Sequence, residues 1–77
     1  MMTLTEPKVP AEHRMVNRSA RDIRFPKGCL LVSVYREEEI IIPSGLTEIM
    51  AEDRLLLLCK QEQLDEVKEL FEIVSLR

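Results

Sequence analysis

The chain has 77 residues, 45% of them hydrophobic but only 4% aromatic, with no Trp. This length allows one small domain with an aliphatic core, and such a domain buries only about 60% of its extended surface, so self-association is expected to supply further burial. A formal net charge of −3 argues against nucleic acid or an anionic membrane as a partner. No run approaches the ~18–20 apolar residues that span a bilayer, and no basic region followed by an apolar one opens the chain. The expectation is a cytosolic polypeptide with no direct membrane insertion.

Residues 1–13 hold Pro7 and Pro10 among mostly polar neighbours and read as a linker or a short edge strand, leaving residues 14–77 as the domain. Residues 15–24 predict a short helix. Asn17 or Ser19 can cap it, Asp22 stands three residues after Ser19, and Pro26 prevents further winding. Ala20 and Ile23 would face inward with Met15 or Val16. On such a helix Arg14, Arg18, Arg21 and Arg24 would share a face, which suits phosphate because guanidinium forks bind its oxygens bidentately. A solvated face partly paired with Asp22 and Glu12 is the plainer alternative.

Residues 29–35 are apolar and β-branched, bounded by Pro26-Lys27-Gly28 and by a charged break at residues 36–39. Ile40, Ile41 and Ile42 follow and stop at Pro43, so the two runs predict an antiparallel hairpin. Glu37, Glu38 and Glu39 at its tip discourage edge aggregation. Pro43-Ser44-Gly45 predicts a turn, residues 46–50 a brief extended segment, and Asp53 an acceptor for turn N–H groups. Residues 55–59 are continuous apolar sequence, too short for a free-standing helix, and read as a buried strand. Leu64, Val67, Leu70, Phe71 and Val74 form one apolar face of a helix over residues 61–74, with Glu62, Asp65 and Glu66 in its first turns.

Catalytic chemistry is not expected. His13 is the only histidine and has no placed nucleophile or carboxylate partner. Cys29 and Cys59 lack zinc spacing and lie inside apolar strands, as buried free thiols of a reduced compartment do; a disulfide between neighbouring strands is the alternative. Two glycines in the whole chain cannot supply a dinucleotide fingerprint or a P-loop.

These elements predict a two-layer α+β domain: a mainly antiparallel sheet of three or four strands, a short N-terminal helix and a longer C-terminal one. In order, the series Pro26-x-Gly28, apolar run, Arg36, charged hairpin, Ile42-Pro43, Thr47, Glu52-Asp53 and apolar strand resembles the TrkA-C domain family, also called RCK-C, over residues 14–71. The resemblance implies a C-terminal regulatory module of potassium channels, potassium uptake systems or antiporters, with a strand near Lys8 or Val9. It also implies a homodimer that works with a parent or partner membrane transport protein and requires no cofactor. Some family members bind cyclic di-AMP at the dimer interface. By motif position Arg24 resembles the phosphate-binding arginine of those members, with Ile23 beside it, Ile42 and Pro43 as apolar wall, and Arg21 as a further cation; another small nucleotide effector fits the same pattern. Three departures stand out. Glu52 and an acidic run occupy turn positions where the family usually carries Gly, and apolar Leu30 replaces a polar residue of the dinucleotide binders. The effector domain of a transcription regulator and a dimerisation module without a ligand are the alternative readings.

Overall fold

The computed structural model describes residues 1–72. Its four strands are β1 (Met2–Thr5), β2 (Cys29–Arg36), β3 (Glu39–Ile41) and β4 (Arg54–Lys60), paired antiparallel throughout in the spatial order β1-β4-β2-β3. A 3-10 turn at Gln61–Gln63 leads into the helix α1 (Leu64–Glu72). The α+β class expected from the sequence is the one found.

β2 reads Cys-Leu-Leu-Val-Ser-Val-Tyr-Arg, whose apolar positions do not alternate cleanly. A bulge at Val32 resolves the conflict: Leu31 pairs with Leu57, but Ser33 pairs with Leu56. One extra residue turns the strand's phase. Cys29, Leu31 and Val34 therefore all face the core opposite Cys59, Leu57 and Leu55. That inner face is closed by Val9, Met15 and Ile49 from the loops and by Val67 and Phe71 from α1, all nearly or fully buried. Val67 and Phe71 are four residues apart, so one helical stripe covers the sheet. Asp65 and Glu66 occupy the first turn of α1, where the helix dipole favours negative charge. The expected helix positions beyond Glu72, including Val74, lie outside the described residues.

The outer face is different. Register puts Leu4, Leu58 and Leu30 in one row across β1, β4 and β2, and Ile40, Tyr35 and Arg54 in another across β3, β2 and β4. Leu58 in the middle is half-buried, while the residues on either side of it are exposed. Leu30 is 62% exposed, Leu4 60% and Ile40 71%.

The helix expected over residues 15–24 is not formed; only Ala20–Asp22 makes a single 3-10 turn. Asn17 sits in the left-handed region at φ 71°, which breaks a right-handed helix. The backbone has a better partner as well: the N–H groups of Asn17, Ala20 and Arg21 donate to the carbonyls of Ile49, Thr47 and Gly45, and Ile49 N–H returns to Arg18 O. Of the segment expected to be extended over residues 46–50, Leu46 lies in a turn and the rest pairs with this loop around a single bridge from Glu48 to Ser19, which caps nothing through its side chain. Near Lys8 a single bridge to Arg54 forms. The N-terminal edge strand itself is β1, four residues nearer the start than Val9.

Both turns where Gly is usual in the family keep left-handed geometry without it. Glu37 lies at φ 54° and Glu52 at φ 70°, a conformation that costs a residue with a Cβ about 1–2 kcal/mol. Gly28 keeps its glycine at φ 81°, where an added Cβ would also stand 3.2 Å from the Lys60 side chain.

Candidate functional site

Among the described residues, three concavities bear on function. The first is a groove of about 250 Å³ at the margin of the outer face, lined by Ala20, Arg21, Phe25, Leu30, Leu31, Pro43, Ser44 and Gly45. Its floor is stiffened by local bonds. Arg21 N–H donates to Gly45 O at 2.9 Å, Thr47 N–H to Ser44 O at 3.1 Å, Ser44 N–H to Thr47 Oγ1 at 2.9 Å and Leu46 N–H to Ser44 Oγ at 3.2 Å. The Arg21 side chain runs over Gly45, where a Cβ would be only 3.3 Å from Arg21 Cβ. One cation beside apolar and aromatic walls is suited to a phosphate joined to a flat base.

The second concavity, about 270 Å³, is lined by His13, Arg14, Met15, Arg18, Asp22, Ile23, Arg24 and Leu70. His13 is its structural pivot. Its Nδ1 accepts from Met15 N–H at 3.0 Å, which leaves the proton on Nε2 to donate to Leu70 O at 2.6 Å, and its ring lies 6.2 Å from that of Phe71. Both ring nitrogens are thereby used in tying the N-terminal loop to α1. Arg14, Arg18 and Arg24 share this hollow with Asp22, but Arg21 is not among its lining residues. The shared helical stripe of four arginines does not exist, because the helix it required does not.

The five residues singled out from the sequence therefore separate. Arg21 and Pro43 meet in the outer groove, Ile23 and Arg24 open on the second hollow, and Ile42 is 80% exposed beside Pro43 without lining either. Phe25 and Leu30 were not anticipated as groove walls. Their signal was positional: Phe25 enters the turn before β2, and Leu30 is the first outward residue after it.

The third concavity, about 580 Å³, surrounds an ion pair that sequence reasoning missed. Arg36 ends β2 and Asp53 immediately precedes β4; Arg36 Nε reaches Asp53 Oδ1 and Nη2 reaches Asp53 Oδ2, each at 2.8 Å. Nη2 also donates to Glu48 O at 2.8 Å, while Met50 N–H donates to Asp53 Oδ2 at 2.8 Å. The turn-accepting role expected of Asp53 is thus present, within a larger network. Asp53 is fully buried and the Arg36 side chain 31% exposed. Hydrogen bonding to Asp53 holds the Arg36 guanidinium still more firmly protonated, against the opposing effect of burial. Both carboxylate oxygens are bonded within the fold, so this corner is a clasp joining the hairpin to the turn before β4.

Cys29 and Cys59 are free thiols facing one another across β2 and β4. Burial first, then the neighbouring Cys59 and Glu66, pushes the Cys29 thiol up from 9.0 to about 11. Among the described residues no helix is long and apolar enough to cross a membrane.

Comparison with known proteins agrees with this fold. The TrkA-C domain family model matches residues 4–72. A Trk system potassium uptake protein TrkA homolog of Archaeoglobus fulgidus is 34% identical over 58 residues, covering 75% of this chain and 13% of that protein. A homolog 1 of the same protein from Methanosarcina mazei is 29% identical over 68 residues, covering 88% of this chain and 17% of that protein. The chain therefore spans a small fraction of the curated relatives it matches. A solved structure described as an RCK domain with cda superposes with a TM-score of 0.75 at 27% identity, covering 90% of this chain and 97% of that one.

Proposed function

The chain belongs to the TrkA-C domain family, and from that premise we propose that it is the cytosolic regulatory domain of a potassium or other monovalent cation transport system. It self-associates through the outer face of its sheet and senses a small nucleotide, cyclic di-AMP foremost, at the groove on that face's margin.

The observation that carries this reading is the adjacency of groove and face. Leu30 belongs to both: it stands in the exposed row with Leu4 and Leu58, and it walls the groove opposite Arg21 and Pro43. Two copies apposed by their outer faces bury the leucine row and bring each groove against the partner. A groove of about 250 Å³ falls short of the ~300–1,000 Å³ usual for small-molecule sites. It accommodates part of a nucleotide, and the second copy supplies the rest. A ligand seated there regulates a transporter only through its different affinity for two arrangements of the dimer.

Arg21 is the cation in contact with the groove, while family position assigns the phosphate to Arg24 with Ile23 beside it. Pro43 lines the groove as apolar wall, with exposed Ile42 beside it. Calorimetric titration with cyclic di-AMP tests the assignment. Heat that is lost in Arg21→Ala but kept in Arg24→Ala supports the groove; the reverse moves the phosphate contact to the arginine-lined hollow. No heat at high micromolar ligand removes the dinucleotide from the account.

A second reading, a dimerisation module without a ligand, is favoured by Leu30, which is apolar where cyclic di-AMP binders of the family carry a polar residue. A dimer that gives no heat with any common nucleotide establishes it.

A further inference from the structure

We propose that Cys29 and Cys59 are a modification site: an oxidisable dithiol that hydrogen peroxide closes into a disulfide, pinning the start of β2 to the end of β4. The two residues are direct partners in the ladder. Lys60 N–H donates to Gly28 O at 3.3 Å, and Cys29 N–H turns back to Pro26 O at 3.2 Å. These bonds make Gly28 and Lys60 the hydrogen-bonded neighbours and leave Cys29 and Cys59 as a non-hydrogen-bonded pair. Pairs of that kind hold their Cα atoms about 4.5 Å apart, inside the ~4.4–6.8 Å that a disulfide spans. Both side chains face inward, Cys59 fully buried and Cys29 partly so. An oxidant meets Cys29 first, and the resolving thiol is already beneath it.

The step balances without a further reactant. The Cys29 thiolate attacks one peroxide oxygen; the O–O bond breaks and hydroxide leaves, giving Cys29 sulfenic acid. Cys59 sulfur then attacks Cys29 sulfur, the S–O bond breaks, and the departing hydroxide takes the Cys59 proton. Two thiols are oxidised and one peroxide is reduced to two waters. The groups around Cys29 are the Cys59 thiol on β4, Glu66 on α1 and the Lys60 side chain packed on Gly28. With the Cys29 thiol held up to about 11, reaction depends on a scarce thiolate, and its rate should rise about tenfold per pH unit through the neutral range. The pair is therefore a slow recorder of sustained oxidation. Its inward orientation keeps it off the proposed dimer face, so its success or failure is independent of that reading.

The test is exposure of the purified chain to hydrogen peroxide at pH 7, 8 and 9, followed by peptide mass spectrometry without reductant. Expected are a Cys29–Cys59 linked peptide lighter by two hydrogens, reversal by dithiothreitol, and a melting temperature raised by on the order of 10 °C. Cys59→Ser should leave Cys29 as sulfenic or sulfinic acid with no link. If that variant does not fold, Cys29→Ser, altering the more exposed partner, should abolish peroxide consumption at the pair. Sulfinic acid or intermolecular disulfides in the wild-type chain, or unchanged thiols at pH 9, would overturn the proposal.

Discussion

The two faces of the sheet share an aliphatic middle and differ in fate, the outer face carrying Ser33, Arg54 and Lys60 beside its leucines. The inner face presents Val34, Leu55, Leu57 and Cys59, all fully buried beneath α1 and the loops; the outer face presents Leu4, Leu30, Ile40 and Leu58, most of them open to solvent. The apolar residues alone cannot distinguish them. What separates them is the supply of covering elements: one helix and two paired loops suffice for one face only. An exposed apolar surface built in rows is the mark of a surface that another body covers, which is the ground for the proposal that a second copy of the chain covers it.

The largest expected effect lies at the rim of the inner face. Arg36→Leu strands the fully buried Asp53 carboxylate without its cation and should cost about 3–5 kcal/mol by urea denaturation. A cost below about 1 kcal/mol would mean that the clasp is dispensable. Next is the contrast between the faces themselves. Leu57→Ala should cost about 2–5 kcal/mol through transfer and cavity, whereas Leu4→Ala on the exposed β1 edge should change monomer stability by less than about 0.5 kcal/mol. Equal costs would erase the distinction.

How far these faces were legible in the sequence differs by element. The hairpin was legible because a β-branched run, a tight charged break and a Pro-terminated run leave few alternatives. Residues 55–59 were legible by length and flanks. The N-terminal helix was misread because cap-like residues and a stop signal are local, while the partners that overrode them, the carbonyls of Gly45, Thr47 and Ile49, lie about thirty residues away. Arg36 and Asp53 were each visible at strand ends, but their pairing needs the β2–β4 register, which depends on the Val32 bulge. The groove walls come from residues 20–25, 30–31 and 43–45, and their meeting depends on long-range pairing in the same way.

A smaller effect belongs to the margins. Glu37→Gly should stabilise the chain by about 0.5–1 kcal/mol, relief of left-handed strain exceeding the entropy cost of glycine; a destabilised variant would show that the acidic tip itself contributes. Near neutrality Cys29 should leave stability insensitive to pH. The Cys29 thiol is raised from 9.0 to about 11 in the fold, so its contribution is complete below about pH 9 and is lost as pH rises toward 11. Denaturation curves should show that decline in the reduced wild type and less of it in Cys29→Ser.

The outer face as an interface between copies is tested most directly by sedimentation equilibrium of the chain and of Leu30→Glu at tens of micromolar. The prediction is a wild-type dimer and a Leu30→Glu monomer with an unchanged circular dichroism spectrum. A monomeric wild type, or a variant that dimerises as well as the parent, would contradict the account.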